Sequence, residues 1–272
     1  MKTFSRFFTV LAGIFLTSEA FADFPRPWQM GFQEPATPVM KMLNDFHNLL
    51  LVFVFVSGIF VFLLMSYVVL RFNAKSNPVA SKTTHNTLLE IIWTVVPTVV
   101  LIFIAIPSMH TLFFSSTIKD AQMTIKVIGY QWYWGYKYPD QGIAFESNIK
   151  QDKDLKPGDI RLLSTDNQVV VPVDTTIRVQ ITAADVIHSW AVPSFGVKMD
   201  AVPGRLNETW FKVDKPGIYY GQCSELCGVN HGFMPIEVKA VSKEEFAKWV
   251  EEAKKKFADK SGQSNQVAAL SN

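Results

Sequence analysis

The chain has 272 residues, with 26 lysines and arginines against 24 aspartates and glutamates, so its formal charge is only +2. This balance offers no basic surface for a phosphate backbone, and we expect no nucleic-acid partner. Charged residues make up 18% of the chain, below the roughly 25% of average globular proteins, while apolar residues reach 49%. The composition excludes an ordinary soluble protein and indicates long apolar segments.

Residues 1–22 have the pattern of a secretory signal peptide. Lys2 and Arg6 precede an apolar run that is too short to span a bilayer, and small residues in the A-x-A pattern close the segment. A retained N-terminal anchor is the alternative. Cleavage would leave residues 23–44 as an N-terminal segment outside the cytoplasm.

Residues 45–114 predict a transmembrane hairpin. Its two spans lie at about 46–72 and 88–114, and each holds an uninterrupted apolar stretch long enough to cross the hydrocarbon core. The loop between them, 73–87, carries Lys75 and Lys82 and no acidic residue. The positive-inside rule therefore places the loop in the cytoplasm and the rest of the chain outside.

After the hairpin the sequence changes to short runs of β-branched and aromatic residues separated by proline, glycine and aspartate. This pattern predicts an all-β sandwich or Greek-key barrel over residues 115–241. The predicted strands are Met123–Ile128, Gln131–Tyr138, Val169–Val173, Ile177–Thr182, His188–Val192, Thr209–Val213, Ile218–Gly221 and Ile236–Ala240.

Residues 242–272 predict an amphipathic helix followed by a disordered polar tail. Ser242 and Glu245 form a capping-box pattern at the start of the helix. One helical face then carries the apolar residues Phe246, Trp249, Val250, Ala253 and Phe257, which we expect to pack on the β domain.

The two cysteines lie in one short segment together with a histidine and a methionine. Cys223 and Cys227 are followed by His231 and Met234 at intervals of four and three residues. A disulfide is the alternative outside the cytoplasm, but it would leave the histidine and the methionine unexplained. Soft sulfur ligands with an imidazole favour copper over zinc. His188 is the candidate for a further ligand from an earlier strand.

A second cysteine distinguishes this pattern from a mononuclear copper site. Two thiolates can bridge two copper ions, each of which then takes one histidine and one weak axial ligand. Met234 would supply one axial donor, and a backbone carbonyl between the two cysteines would supply the other.

The segment Cys223–Met234, preceded by His188-Ser-Trp, resembles the binuclear copper A motif of the cytochrome c oxidase subunit II family. The similarity covers Gln29–Val241 and is closest to proteobacterial and mitochondrial forms. Further matching segments are Gln131–Trp134, Glu90–Pro97 and Val202–Leu206.

The resemblance implies a membrane-anchored, cupredoxin-like Greek-key sandwich that binds two copper ions. The implied copper ligands are His188, Cys223, Cys227, His231, Met234 and the main-chain oxygen of Glu225. The side chain of Glu225 would also bind a magnesium ion shared with oxidase subunit I.

The resemblance also implies how electrons and protons would move. Trp132 would receive electrons from cytochrome c, and Glu90 would lie near a proton path into subunit I. The docking residues would be Trp132, Tyr133, Asp140, Glu146, Asp166 and Asp185. Many relatives carry an acidic residue where this chain has Lys137. The acidic docking patch would therefore be weaker or shifted in this chain. The alternatives are a core-packing role for Trp132 or Trp134, an interfacial anchor at Glu90 and a solvated turn acid at Asp185.

The implied function is that of subunit II of cytochrome c oxidase in the bacterial inner membrane, with the C-terminal domain in the periplasm. Electrons would pass from cytochrome c through copper A to the haems of subunit I, which reduces oxygen and pumps protons. Partners would include subunit I, other oxidase subunits and the lipid bilayer. The alternative is a membrane-tethered copper-binding or assembly protein, which would need a more open, exchangeable site. A quinol oxidase subunit lacks these ligands, and nitrous oxide reductase needs a large additional domain.

Overall fold

The computed structural model describes residues 21–258. The predicted signal peptide, apart from its last two residues, and the predicted tail beyond residue 258 lie outside this range. The first described element is a short strand, β1 (Phe21–Asp23), whose backbone pairs in parallel with Gly217–Tyr219 of the β domain. The strand crosses the predicted cleavage position.

Two long helices form the predicted hairpin. Helix α1 spans Pro38–Arg71 and helix α2 spans Thr87–Ser116. Both are long and apolar enough to cross a membrane, and their most apolar windows are unburied within the chain. Helix α1 begins before the uncharged run because Thr37 caps it: the Thr37 hydroxyl accepts a hydrogen bond from the amide of Met40 at 3.1 Å.

The hairpin is attached to the β domain at both of its outer ends. Thr37 is fully buried, and its hydroxyl donates to the carbonyl of Phe195 at 2.7 Å. At the end of α2, Phe114 meets Trp210 edge to face at 5.5 Å. The connecting loop therefore lies at the other end of the hairpin, about 50 Å away along the 34 residues of α1.

The β domain is a sandwich of two sheets, which confirms the predicted fold class. The strands are β2 (Met123–Tyr130), β3 (Tyr133–Tyr138), β4 (Ile143–Ser147), β5 (Val169–Pro172), β6 (Ile177–Ala183), β7 (His188–Val192), β8 (Val197–Ala201), β9 (Asn207–Phe211), β10 (Gly217–Cys223) and β11 (Pro235–Val241). One sheet has the order β5-β11-β10-β7-β8, with β1 added beside β10, and the other has the order β4-β3-β2-β6-β9.

Strands β4 and β8, which the sequence pattern does not predict, both lie at sheet edges. Strand β8 pairs only with β7 within its sheet, and its sequence VKMDA places Lys198 and Asp200 towards solvent. Edge strands often carry such charged residues, which protect an unpaired edge from aggregation. The same charges remove the apolar pattern by which a strand is recognised.

The C-terminal helix α3 (Lys243–Phe257) packs on the sandwich as predicted. Both hydrogen bonds of the capping box between Ser242 and Glu245 are present. Trp249 meets Tyr138 at 5.2 Å, and Phe257 meets Phe145 at 5.1 Å. The predicted apolar face of the helix is therefore the face that contacts the sheet.

The chemistry-bearing residues converge at one end of the sandwich. Strand β7 begins at His188, β10 ends at Cys223, and the turn between β2 and β3 holds Trp132. Strand β2 runs from Met123, shortly after α2, to the turn that holds Trp132. Its length of about 25 Å therefore separates these residues from the end of the sandwich beside the hairpin.

Candidate metal centre

The two cysteines are close together and buried. The sulfur atoms of Cys223 and Cys227 are 3.8 Å apart, and both residues are free thiols. Cys223 ends strand β10, where its amide hydrogen-bonds the carbonyl of Met234 at 3.4 Å, while Cys227 lies in the following loop. A loop of three residues thus turns the chain back so that both thiols point inward.

Two histidines and a methionine complete the cluster. Nδ1 of His188 lies 4.0 Å from Sγ of Cys223, and Nδ1 of His231 lies 3.5 Å from Sγ of Cys227. The Met234 sulfur lies 3.5 Å from Sγ of Cys227. The structure therefore brings together all five of the predicted side-chain ligands, and each cysteine has its own imidazole neighbour.

The remaining predicted ligand is the carbonyl oxygen of Glu225. It lies 3.4 Å from Sγ of Cys223, whereas the residue as a whole is exposed. The backbone of Glu225 thus faces the sulfur cluster, and its carboxylate is free to meet a ligand from outside the domain.

This donor set fits a soft metal. Two donors bonded to one ion at about 2.3 Å with a tetrahedral angle lie about 3.8 Å apart, and the spacings above are close to that value. His188, Cys223 and Cys227 are all buried, and their ligand atoms lie within 4.8 Å of one another. Two thiolates with a thioether favour copper among the first-row metals.

The two thiols differ in acidity. Burial opposes ionisation of Cys223, but hydrogen bonds from His188 and from the backbone outweigh it and lower the pKa of Cys223 to about 7. Burial raises the pKa of Cys227 to about 12, and the charge of the neighbouring Cys223 adds to this effect. Cys223 is therefore the more easily ionised of the two thiols.

His188 is held from three sides. Its Nε2 lies 2.8 Å from Oδ1 of Asp185, and its ring meets the indole of Trp134 edge to face at 5.9 Å. On the third side is Gly129, where a Cβ would lie only 2.7 Å from Cδ2 of the ring. Burial tends to lower the pKa of His188, but Cys223 and Asp185 raise it above its ordinary value.

Trp132 contacts the cysteine loop directly. Its indole nitrogen donates a hydrogen bond to the carbonyl of Cys227 at 3.1 Å, and the side-chain amide of Gln131 donates to the same oxygen at 2.7 Å. The next residue, Gly228, has a φ of +122°, and a Cβ there would lie 2.9 Å from the indole. The indole is half-buried, so one part contacts the loop and another faces outward.

The predicted docking acids do not form one cluster. Glu146 lies close to Tyr133, whose pKa is raised first by burial and then by the negative charge of Glu146. Asp185 also lies close enough to Tyr133 to raise that pKa. Asp140, in contrast, accepts a hydrogen bond from the amide of Thr124, near the opposite end of β2 from Trp132. The structure thus brings Glu146 and Asp185 to the Trp132 end, but not Asp140.

Two further predicted residues remain: Asp166 lies in the β domain, whereas Glu90 lies in the hairpin. Asp166 is exposed and accepts a hydrogen bond from the amide of Asn148, just after β4. Glu90 lies in the first turn of α2, beside the loop of the hairpin, and is distant in the fold from the sulfur cluster. Lys137 is a β3 residue opposite Lys126 of β2 and Ala144 of β4.

Several residues at the site carry no recognisable signal in the sequence. Gln131 was predicted only as part of an aromatic segment, yet its amide reaches the cysteine loop 96 residues later. The indole nitrogen of the buried Trp134 donates to the carbonyl of Met234 at 3.2 Å. Gly129 and Gly228 provide the space for one imidazole and one indole.

The chain is similar to several known proteins over most of its length. Residues 123–241 match the family model described as cytochrome c oxidase subunit II, periplasmic domain, and residues 25–111 match the model of its transmembrane domain. A probable cytochrome c oxidase subunit 2 from Rickettsia bellii is 52% identical over 96% of this chain and 97% of its own length. Cytochrome c oxidase subunit 2 from Cyanidium caldarium is 48% identical over 87% and 95%.

Part of the chain is also similar to solved structures, among them the crystal structure of the periplasmic domain of subunit II of cytochrome oxidase from Bradyrhizobium japonicum, at 59% sequence identity. The match covers 52% of this chain and 100% of that chain, with a TM-score of 0.49.

Proposed function

Because the chain belongs to the cytochrome c oxidase subunit II family, we propose that it takes electrons from cytochrome c at a binuclear copper centre and delivers them to subunit I. The chain is a membrane-anchored subunit of a haem–copper oxidase and contains the domain that the family model describes as periplasmic. The observation that carries the proposal is the arrangement of two free thiols 3.8 Å apart, each with its own imidazole neighbour.

Six groups would hold the two copper ions. The thiols of Cys223 and Cys227 would be the central ligands, with His188 beside the first thiol and His231 beside the second. Met234, which is close to Cys227, and the carbonyl of Glu225, which is close to Cys223, would be the weaker donors. When bound, the copper ions would supply a one-electron carrier.

The protein holds these donors rigidly. His188 is 0% exposed and Met234 is 1% exposed, so the two are fixed by the surrounding core. A closed site of this kind does not suit a protein that releases copper to a partner. It suits electron transfer, because a preorganised site changes little when the charge on the metal changes.

Trp132 would be the place where electrons arrive. Its half-buried indole is hydrogen-bonded to the carbonyl of Cys227, so a short bonded route joins the surface to a proposed copper ligand. Tyr133 lies beside it with Glu146 and Asp185 nearby. Their negative charge would steer a basic cytochrome c towards the indole, and Asp166 would extend the same face. Asp140 would act only at long range.

The contacts with the membrane subunits would involve Glu225 and Glu90. The exposed carboxylate of Glu225 would bind a magnesium ion shared with subunit I, since hard oxygen ligands suit that metal. Glu90, beside the loop of the hairpin, would stand near the opening of a proton path. We place the chain in the bacterial inner membrane with the β domain in the periplasm.

The copper content of the purified full-length chain in detergent tests this proposal. We expect two copper ions per chain and a mixed-valence electron paramagnetic resonance (EPR) signal shared between both ions. Cys227→Ser should lose that signal, because one thiolate cannot bridge both metals. Ser224→Ala, in the same loop but with its hydroxyl bonded only to a backbone oxygen, is the matched control. Two copper ions retained in Cys227→Ser would contradict the ligand assignment.

A further inference from the structure

Asp185 and Gln131 connect the two sides of the candidate copper site. Asp185 lies in the turn between β6 and β7, three residues before His188, and Gln131 lies in the turn between β2 and β3. The backbone amide of Gln131 donates to Oδ2 of Asp185 at 2.7 Å, while the side chain of Gln131 reaches the carbonyl of Cys227. A continuous chain of hydrogen bonds thus runs from one proposed ligand to another.

We propose that Asp185 and Gln131 are positioning residues that together hold the His188 imidazole and the Trp132 indole against the cysteine loop. The inference deepens the proposed function and rests on it: His188 and Cys227 are taken as copper ligands and Trp132 as the place where electrons arrive. Asp185 therefore does more than add negative charge to a docking face.

Both oxygens of Asp185 are committed to the protein. Oδ1 faces Nε2 of His188 at 2.8 Å and accepts from the amide of Val186 at 2.7 Å, and Oδ2 accepts from the amide of Gln131. The side chain is 32% exposed. A carboxylate whose purpose was only to attract a distant partner would not need each oxygen bonded within its own domain.

The contact with His188 selects one tautomer of the ring. A carboxylate at Nε2 favours a proton there, so Nδ1 is the nitrogen that would bind a metal beside Cys223 once it gives up the proton it donates to that thiol. Gly129 and Trp134 block other positions of the ring. Asp185 therefore fixes the orientation in which His188 can act as a ligand.

Gln131 does the corresponding work for Trp132. The carbonyl of Cys227 accepts from both the Gln131 amide and the Trp132 indole, at 2.7 and 3.1 Å. Because Asp185 holds the backbone amide of Gln131, the turn that presents the indole is anchored at its first residue. Loss of either contact would let the indole move away from the loop.

Two substitutions separate positioning from charge. Asp185→Asn keeps the shape of the side chain but leaves only one acceptor oxygen. That oxygen can accept a hydrogen bond from either His188 or the Gln131 amide, and the new NH2 group then faces the other donor. Gln131→Glu adds a negative charge beside Trp132 but replaces a donor to the Cys227 carbonyl with an acceptor. A pure docking role predicts that Gln131→Glu strengthens the attraction of a basic cytochrome c, whereas the positioning role predicts slower electron transfer.

Glu146→Gln is the matched charge control. Glu146 is exposed and contacts Tyr133, and it lies outside the chain of hydrogen bonds between His188 and Cys227. Like Asp185→Asn, the Glu146→Gln substitution removes one negative charge from the face around Trp132. We expect it to alter the KM for cytochrome c and its salt dependence without changing the copper spectrum.

The experiment has two parts. Hydrogen exchange on the metal-free full-length chain should show faster exchange of the segment around Gln131 in Asp185→Asn than in Glu146→Gln or the unaltered protein. In the assembled oxidase, Asp185→Asn should change the copper EPR spectrum. Both Asp185→Asn and Gln131→Glu should slow electron transfer within the bound cytochrome c complex by about tenfold.

The outcomes are distinct. If Asp185→Asn shifts only KM and its salt dependence, as Glu146→Gln does, with unchanged hydrogen exchange, spectrum and intracomplex rate, the positioning role is wrong. If the unaltered chain binds no copper while the exchange result holds, the proposed function fails and the structural connection through Asp185 stands.

Discussion

The indole nitrogen of Trp132 lies 3.1 Å from the carbonyl oxygen of Cys227, although 95 residues separate them in the chain. One of the two is a half-buried surface residue and the other is a buried thiol of the proposed copper site. Electron transfer across a protein depends steeply on the number of non-bonded gaps, so a direct hydrogen bond makes this pair the natural connection between the surface and the site.

Trp132→Phe tests that connection. Phenylalanine keeps an aromatic ring at the surface but cannot donate to the Cys227 carbonyl, so docking should persist while electron transfer from bound cytochrome c slows by at least about tenfold. Rapid kinetics with light-triggered reduction of cytochrome c resolves the two steps. Trp249→Phe, on helix α3 where the indole meets Tyr138, is the control and should leave both steps unchanged. A change in KM alone would show that Trp132 is only a docking residue.

Gly129→Ala should disturb the copper site from within strand β2. The new methyl group would lie 2.7 Å from the His188 ring, which is buried and cannot move aside freely. Overpacking of this kind costs typically about 1–3 kcal/mol, and we expect a lower melting temperature together with an altered EPR spectrum. Gly232→Ala is the control, because it lies next to His231 and a methyl group there meets nothing within 4 Å. An unchanged spectrum in Gly129→Ala would mean that His188 is not held by this contact.

The proposed side-chain ligands could be predicted from the sequence because four of the five lie in one segment, Cys223–Met234, where spacing alone indicates a soft metal site. His188 could be predicted as a further ligand because the three remaining histidines, His47, His85 and His110, lie beside the membrane spans. The positioning contacts could not be predicted in this way. Gln131 and Cys227 are brought together only by the pairing of whole strands, and no local pattern marks a glutamine amide that will meet a carbonyl 96 residues later.

The strands likewise divide into those that a local sequence pattern predicts and those that depend on pairing with a distant strand. Buried strands such as β6, with alternating buried and half-buried residues, have the period-two pattern that predicts them. The local pattern does not predict edge strand β8, because Lys198 and Asp200 interrupt the apolar run, or β4, because it is short and contains Glu146. Their position is determined by pairing with a neighbour, which the local sequence does not encode.

Met234→Leu should retain copper but change its potential. The replacement conserves volume, so the cost to stability should stay below about 1.5 kcal/mol. Loss of a weak sulfur donor destabilises the more highly charged oxidised state more than the reduced state, and the midpoint potential should therefore rise. Redox titration of the full-length chain measures it. Met123→Leu, equally buried at the start of β2, is the control, and an equal shift in both variants would remove Met234 from the ligand set.

The orientation of the hairpin can be tested with two single-cysteine probes. Ser81 lies in the loop after α1 and Gln151 lies in the β domain, and both are exposed. Each is replaced by cysteine in turn. The native Cys223 and Cys227 are buried and should react poorly with a surface reagent. A membrane-impermeant maleimide added to intact spheroplasts should label Gln151→Cys, and Ser81→Cys only after permeabilisation, because the basic loop is predicted to face the cytoplasm. Labelling of Ser81→Cys in intact cells would reverse the topology.

Copper uptake by the metal-free chain should fall as the pH is lowered through about 7. The pKa of Cys223 is about 7, so this thiol is largely ionised above that pH and protonated below it, while the pKa of Cys227 is raised to about 12. Because copper binds thiolates, each protonated thiol must lose its proton to the solvent first, and acid therefore opposes binding. Thiolate absorbance in the ultraviolet should show one step near neutral pH and a second, much more alkaline step.

Cys223→Ser provides the control for this titration. It removes the neighbouring charge, so the pKa of Cys227 should move down towards its ordinary value, although burial still holds it up. The neutral step should then disappear and leave a single alkaline step. Two overlapping steps near the ordinary thiol pKa in the unaltered chain would contradict the distinct environments of the two cysteines. In that case the hydrogen bond from His188 to Cys223 would not form without metal, and the imidazole would be oriented only when copper binds.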